Sequence, residues 1–122
     1  MSTHLLRTDS SKEFYTTERC HILEMLHNHD SDKPFSIAKA RVEVGVTTAW
    51  HRLSEITEFY YILQGTGVME IGEDSGFEVK VDDIVRIPSD QPQRIQNTGD
   101  QDLIFLAICN PPFSDKNYEE LE

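Results

Sequence analysis

The sequence has no apolar run near the roughly 20 residues that a membrane-crossing helix needs, so no membrane span is expected. Basic residues are scarce: 11 lysines and arginines stand against 22 aspartates and glutamates, giving a formal net charge of −11. A surface of that sign repels phosphate backbones, so nucleic acid is not an expected partner, and encounter with anionic membranes is disfavoured. Cysteine is nearly missing. Cys20 and Cys109 match neither a zinc ribbon nor a Cys-x-x-Cys redox pair, and both are expected reduced and buried as small hydrophobes. The N-terminus lacks the uninterrupted apolar stretch of a secretory signal, since Arg7, Asp9 and Lys12 break it, and a cytoplasmic location is the expectation. Repeats and low-complexity tracts are also absent. No serine sits in a nucleophile elbow, and the Gly-Thr-Gly at Gly65 to Gly67 precedes no helix, which removes the acyl-transfer and nucleotide-loop readings.

What is present is a succession of short β-rich runs separated by turn residues over 122 residues, a length suited to one domain. All-β is the expected class. From Phe35 to Gly45, Ala38, Ala40, Val42 and Val44 are expected on one strand face and Lys39, Arg41 and Glu43 on the other. Strands are also expected in Cys20 to Leu26, Thr48 to Leu53, Glu58 to Gly65, Thr66 to Glu73, Phe77 to Pro88, Arg94 to Asn97 and Leu103 to Cys109. Pro111 and Pro112 end the regular structure, and the acidic stretch beyond forms a helical turn or an arm, with Asp115 as N-cap.

Gly45, His51, Glu58 and Gly65 stand at spacings of glycine, five residues, His-x-His, four residues, glutamate, six residues and glycine, with Leu53 at the second histidine position. Further on, Asp82, Pro88, Asp90, Gln93 and Asn97 occupy a pattern of glycine, five residues, Pro-x-Gly, two residues, histidine, three residues and asparagine. This pair of patterns resembles the two motifs of the cupins, and the resemblance runs from about Phe35 to Pro111. It implies a single jelly-roll β-barrel with a core over residues 35–112, an N-terminal segment 1–34 packed against it and an acidic C-terminal tail 113–122. In metal-binding cupins the histidines and the glutamate are ligands. The resemblance therefore implies a divalent metal (Zn, Fe, Ni, Mn or Co) held by His51, Glu58 and Gln93, with Gln93 as a neutral oxygen donor. It also implies a small-molecule ligand or substrate and pairing into a homodimer.

Strand alternation supports a common inner surface. His51 and Leu53 point together, as do Glu58, Tyr60 and Ile62, and also Gln93 and Ile95. Tyr60 is a candidate hydrogen-bond donor or acid, and Glu55, four residues after His51, is a candidate proton-transfer group or substitute ligand. Without a metal, His51, Glu58 and Gln93 would instead satisfy one another as a buried polar cluster. The pair His27 and His29, beside Asp30, lies in a polar loop and reads as solvated rather than as a second metal site. Three functions stay open: a metal-dependent isomerase, epimerase, lyase or dioxygenase; a non-catalytic small-ligand or sensor module; and a metal-free enzyme with His51 and Glu58 as base and orienter.

Overall fold

The computed structural model describes residues 4–27 and 34–122. Alternating β-formers build strands β1 Phe14–Tyr15, β2 His21–Leu26, β3 Ser36–Val42, β4 His51–Leu53, β5 Thr57–Gln64, β6 Gly67–Ile71, β7 Asp74–Val79, β8 Ile84–Ile87, β9 Gln93–Asn97, β10 Leu103–Asn110 and β11 Tyr118–Glu120. They form a six-stranded sheet ordered β1-β2-β3-β10-β5-β8 and a five-stranded sheet ordered β11-β4-β9-β6-β7. Each pairing is antiparallel, and the two sheets make the jelly-roll barrel of an all-β protein.

The period of two decides which residues form the core. Glu58, Tyr60 and Ile62 of β5 are buried while Phe59 and Tyr61 lie on the outer face, and Gln93, Ile95 and Asn97 of β9 are buried in the same alternation. Ile62, Met69, Ile95, Leu103 and Phe105 meet between the sheets with Val42, Val79 and Val85. Full burial of each large apolar side chain contributes roughly 1.5–3 kcal/mol. A smaller cluster joins Leu53, Ile56 and Cys109 to Phe113 and Tyr118 from the C-terminal segment.

The expected inner row from Ala38 to Val44 is broken at its end. Val42 is fully buried, but β3 stops there and Val44 is half exposed, because Glu43 to Val46 form a turn through Gly45 at φ +78°. The C-terminal segment also goes beyond a helical turn. Ser114, rather than Asp115, caps the 3-10 turn Asp115–Asn117 by accepting from the Lys116 N–H, and the chain then pairs with β4 as β11.

All four glycine positions of the two motifs take left-handed backbone, including the two held by aspartate: Gly45 at φ +78°, Gly65 at +89°, Asp82 at +75° and Asp90 at +69°. Aspartate tolerates this region better than most side chains, so the turns survive the exchange. At Gly65 an added Cβ would also press on the Asp102 carbonyl oxygen at 3.1 Å.

Candidate functional site

Between the sheets lies a cavity of about 230 Å³, smaller than the pockets of roughly 300–1,000 Å³ that take drug-sized ligands. His51, at the start of β4, is buried on its wall with Leu53 and Glu58. Its backbone neighbours are Gln93 of β9 on one side and Glu120 of β11 on the other. The Nδ1 atom lies 2.7 Å from the Ala49 carbonyl oxygen, and a carbonyl only accepts, so Nδ1 carries the hydrogen. Nε2 is thereby left to the opposite side, 3.3 Å from Glu18 Oε2. A neutral imidazole of this tautomer and a carboxylate both offer lone pairs, so the pair forms with a proton on one of them.

Glu18 comes from the turn Thr16 to Cys20 between β1 and β2. The Ala49 N–H donates to the Glu18 carbonyl oxygen at 2.9 Å, and the Arg19 side chain reaches the Thr47 carbonyl oxygen and the Glu122 carboxylate. These contacts clamp the turn over β4.

Glu58 is the most deeply buried carboxyl of the site. Gln93 Nε2 donates to its Oε1 at 2.8 Å, Tyr60 donates to the Gln93 carbonyl oxygen at 2.8 Å, and the Cys109 thiol lies 3.7 Å from Glu58 Oε2. Burial pushes the Glu58 carboxyl up to about 7, against the lowering effects of the Gln93 hydrogen bond and the His51 charge. Burial likewise drives Tyr60 well above its ordinary range, helped by the Glu58 and Glu18 charges. Both cysteines are free and buried, and burial raises their thiols, followed by the Glu18 charge at Cys20 and the Glu58 charge at Cys109.

Tyr118 of β11 stacks on the His51 imidazole, with centroids 5.2 Å apart and planes 22° apart. Its hydroxyl is buried with no hydrogen-bond partner among the described residues. Burial raises this phenol, with the Glu18 charge adding to the effect.

His51, Glu58, Gln93 and Tyr60 therefore share one buried neighbourhood. Glu55 does not: it sits exposed at φ +64° at the tip of the β4–β5 turn, away from the cavity wall. That turn is bound to the C-terminal segment by Ser54 and Asn117, and the neighbouring Ile56 takes the inward position. Tyr60 lines the cavity with its hydroxyl committed to Gln93. His27 lies on the cavity wall, whereas His29 and Asp30 fall outside the described residues. Arg94 faces away, paired with Glu70 and 5.0 Å from the Trp50 ring centroid.

The donor set does not fit a divalent metal as it stands. Leu53 supplies no donor, Gln93 is hydrogen-bonded at both ends of its amide, and among the described residues no three His, Cys, Asp or Glu side chains are grouped to hold an ion.

Glu18 and Tyr118 escape sequence reasoning, because both lie outside the motifs and no spacing links them to His51. Tyr118 carries a faint signal: with Phe113 and Leu121 it gives an otherwise acidic tail the means to pack.

Residues 38–109 match the model of the cupin domain. The chain is 37% identical over 115 residues to an uncharacterized protein of Methanocaldococcus jannaschii, covering 93% of this chain and 91% of that protein. It is 33% identical over 93 residues to an oxalate-binding protein of Thermotoga maritima, covering 75% and 73% of the two. Among solved structures it resembles the Lactobacillus farciminis oxalate decarboxylase formate complex with a TM-score of 0.76 at 20% identity, covering 95% of this chain and 33% of that longer one. A variant of Streptomyces Pac13 with uridine gives a TM-score of 0.78 at 12% identity over 99% of this chain and 92% of that one. Another Pac13 structure, described as that of a nucleoside dehydratase, gives 0.76 at 11% identity, covering 97% of this chain and 92% of that one.

Proposed function

The chain belongs to the cupin superfamily, whose members bind small molecules and include decarboxylases and dehydratases, and we propose that it is a metal-independent acid–base enzyme, a lyase or isomerase acting on a small polar metabolite. One observation carries this reading. His51 brings an anchored imidazole to a cavity wall that it shares with two unlike carboxyls: the partly exposed Glu18 at 3.3 Å, and the buried Glu58, pushed up to about 7 by burial. Groups set apart in this way divide the tasks of base and acid.

In the proposed reaction the substrate displaces Glu18 from the neutral imidazole, His51 Nε2 takes a proton from a carbon next to a carbonyl with the lone pair so freed, and the electron pair of the broken C–H bond forms the new double bond. In an elimination, a carbon–oxygen bond breaks and the protonated Glu58 carboxyl delivers its proton to the departing hydroxyl, which leaves as water. In an isomerisation that proton goes to the enolate instead. Glu18 stabilises the imidazolium, and Gln93 and Tyr60 hold Glu58. Each positioned acid or base contributes typically 10²–10⁴-fold.

The test is solvent deuterium exchange into hydroxycarbonyl compounds by chelator-treated protein, beside His51→Asn and Glu58→Gln. The reading expects exchange without metal and a loss of about 10²-fold or more in each variant. Activity that disappears on chelation and returns with one divalent ion would replace it.

The second reading is a divalent metal bound through His51, Glu58 and Gln93. Its support is the Nδ1 anchor on the Ala49 carbonyl, an arrangement that metal-ligating histidines share. It requires Gln93 to give up Tyr60. For assembly, the exposed Leu63 and Ile84 on the outer face of the six-stranded sheet support a homodimer, which light scattering tests.

A further inference from the structure

The charge of the cavity wall bears directly on the ligand. Glu18, Glu24, Glu58 and Asp115 line it, and among the described residues no lysine or arginine does. Among the described residues the cationic capacity of the wall is His51 and His27, and His51 already faces Glu18 at 3.3 Å.

The open hydrogen-bonding capacity follows from which groups are already committed. Gln93 is closed at both ends, and His51 Nδ1 is spent on Ala49. Among the described residues the partners of Glu18 Oε1 and Glu58 Oε2 are thiols, Cys20 at 3.4 Å and Cys109 at 3.7 Å, which are weak donors. The Tyr118 hydroxyl, buried beside the imidazole, has no partner among the described residues. The Glu18 carboxylate asks for donors from a ligand, while the Glu58 carboxyl and the Tyr118 hydroxyl can each donate or accept. The remaining wall is largely apolar, with Phe14, Ile22, Leu26, Phe105 and Phe113.

We propose that the ligand of this cavity carries no negative charge and presents hydroxyl or amino groups to Glu18, Glu58 and Tyr118, donating to the Glu18 carboxylate, with an apolar body against the aromatic wall. The assignment rests on the metal-independent reading, because a bound metal would supply the positive charge that a carboxylate needs. It separates this chain from the oxalate named in its Thermotoga relative. In the metal-free cavity that dianion would meet the Glu18 carboxylate, with Glu24 and Asp115 on the same wall, and find one imidazole already paired. At such distances like charges lower affinity by about a hundredfold or more.

The test titrates the chelator-treated full chain with benzyl alcohol, benzylamine and benzoate, which match in size and differ in charge, and with oxalate. Binding is read from the His51 and Tyr118 ring signals in NMR. The alcohol and the amine are expected to shift both rings, with benzoate and oxalate about a hundredfold weaker or silent. Glu18→Gln, with its fold checked by amide spectra, should narrow the gap between benzoate and the alcohol about tenfold. Benzoate or oxalate binding the chelated protein as tightly as the alcohol overturns the assignment, as does silence from all four probes. Oxalate binding that appears only after zinc or manganese is added overturns the metal-independent reading, while supporting the charge rule for the metal-free cavity.

Discussion

Gln93 donates from its side-chain nitrogen to Glu58 Oε1 at 2.8 Å, joining the two sheets by a hydrogen bond between buried side chains. The same amide accepts from Tyr60, so Gln93→Leu strands a carboxyl and a phenol together. Each unsatisfied buried group costs about 1–3 kcal/mol, and a loss of roughly 2–4 kcal/mol is expected in the denaturant midpoint. The Glu58 carboxyl should also titrate higher, since a bond that lowers it is gone. An unchanged midpoint would show that the amide is dispensable to the barrel.

The pH dependence of stability has a definite sign at Glu58. Its carboxyl is raised from an ordinary 4.5 to about 7, so its favourable share is complete below the unfolded value and is lost as pH rises through the folded one. The loss is of order 3 kcal/mol between about pH 4.5 and 7. Glu58→Gln removes that slope, so its stability relative to the parent should grow across this window in paired urea titrations. Glu13, Glu70 and Glu122 are lowered, chiefly by Arg41, by Arg94 and by the Trp50 N–H respectively, and act with the opposite sign in acid. They are common to both proteins and cancel in the difference.

At Tyr118 stability and binding should separate. Tyr118→Phe deletes a hydroxyl with no partner among the described residues while keeping the stack on His51, so melting should hold or improve by up to about 1 kcal/mol. Affinity for benzyl alcohol should fall about tenfold, the equivalent of one lost hydrogen bond. Tyr118→Ala also removes packing against Leu53 and Ile56, at a cost of about 2 kcal/mol. A Phe variant that melts lower would mean that the hydroxyl has a structural partner.

Asp90 holds φ +69° with an exposed side chain, and its N–H donates to the Leu53 carbonyl oxygen at 2.9 Å. Asp90→Gly keeps the bond and relieves the backbone, for a gain of about 0.5–1 kcal/mol, while Asp90→Val should lose more than about 1 kcal/mol. Asp82→Gly should gain less, because Asp82 Oδ1 accepts from Tyr61 at 2.7 Å. Thermal melts of the three variants rank these effects.

The parts of this molecule that were legible in advance obey short periods or fixed spacings. Glu58, Tyr60 and Ile62 are inward because strands alternate, and the motif glycines mark turns because left-handed backbone punishes side chains. Glu55 misleads for a reason of the same kind: counting four residues from His51 ignores that the turn spends one of them at positive φ, which directs the side chain outward. Glu18 and Tyr118 belong to another class. They reach His51 by long-range pairing, through the Glu18 carbonyl on Ala49 and the β11 ladder on β4, and no local pattern encodes such meetings.

The stretch that matches the cupin domain begins at residue 38 and ends at residue 109, so Glu18 and Tyr118 lie on opposite sides of it. Part of the cavity wall thus lies outside that stretch, facing His51, Leu53 and Glu58 within it. Two proteins with interchangeable motif stretches can present opposite charges to a ligand if their flanking segments differ. Swapping those flanks between relatives, strands β1, β2 and β11 included, would test how far they set what each barrel holds.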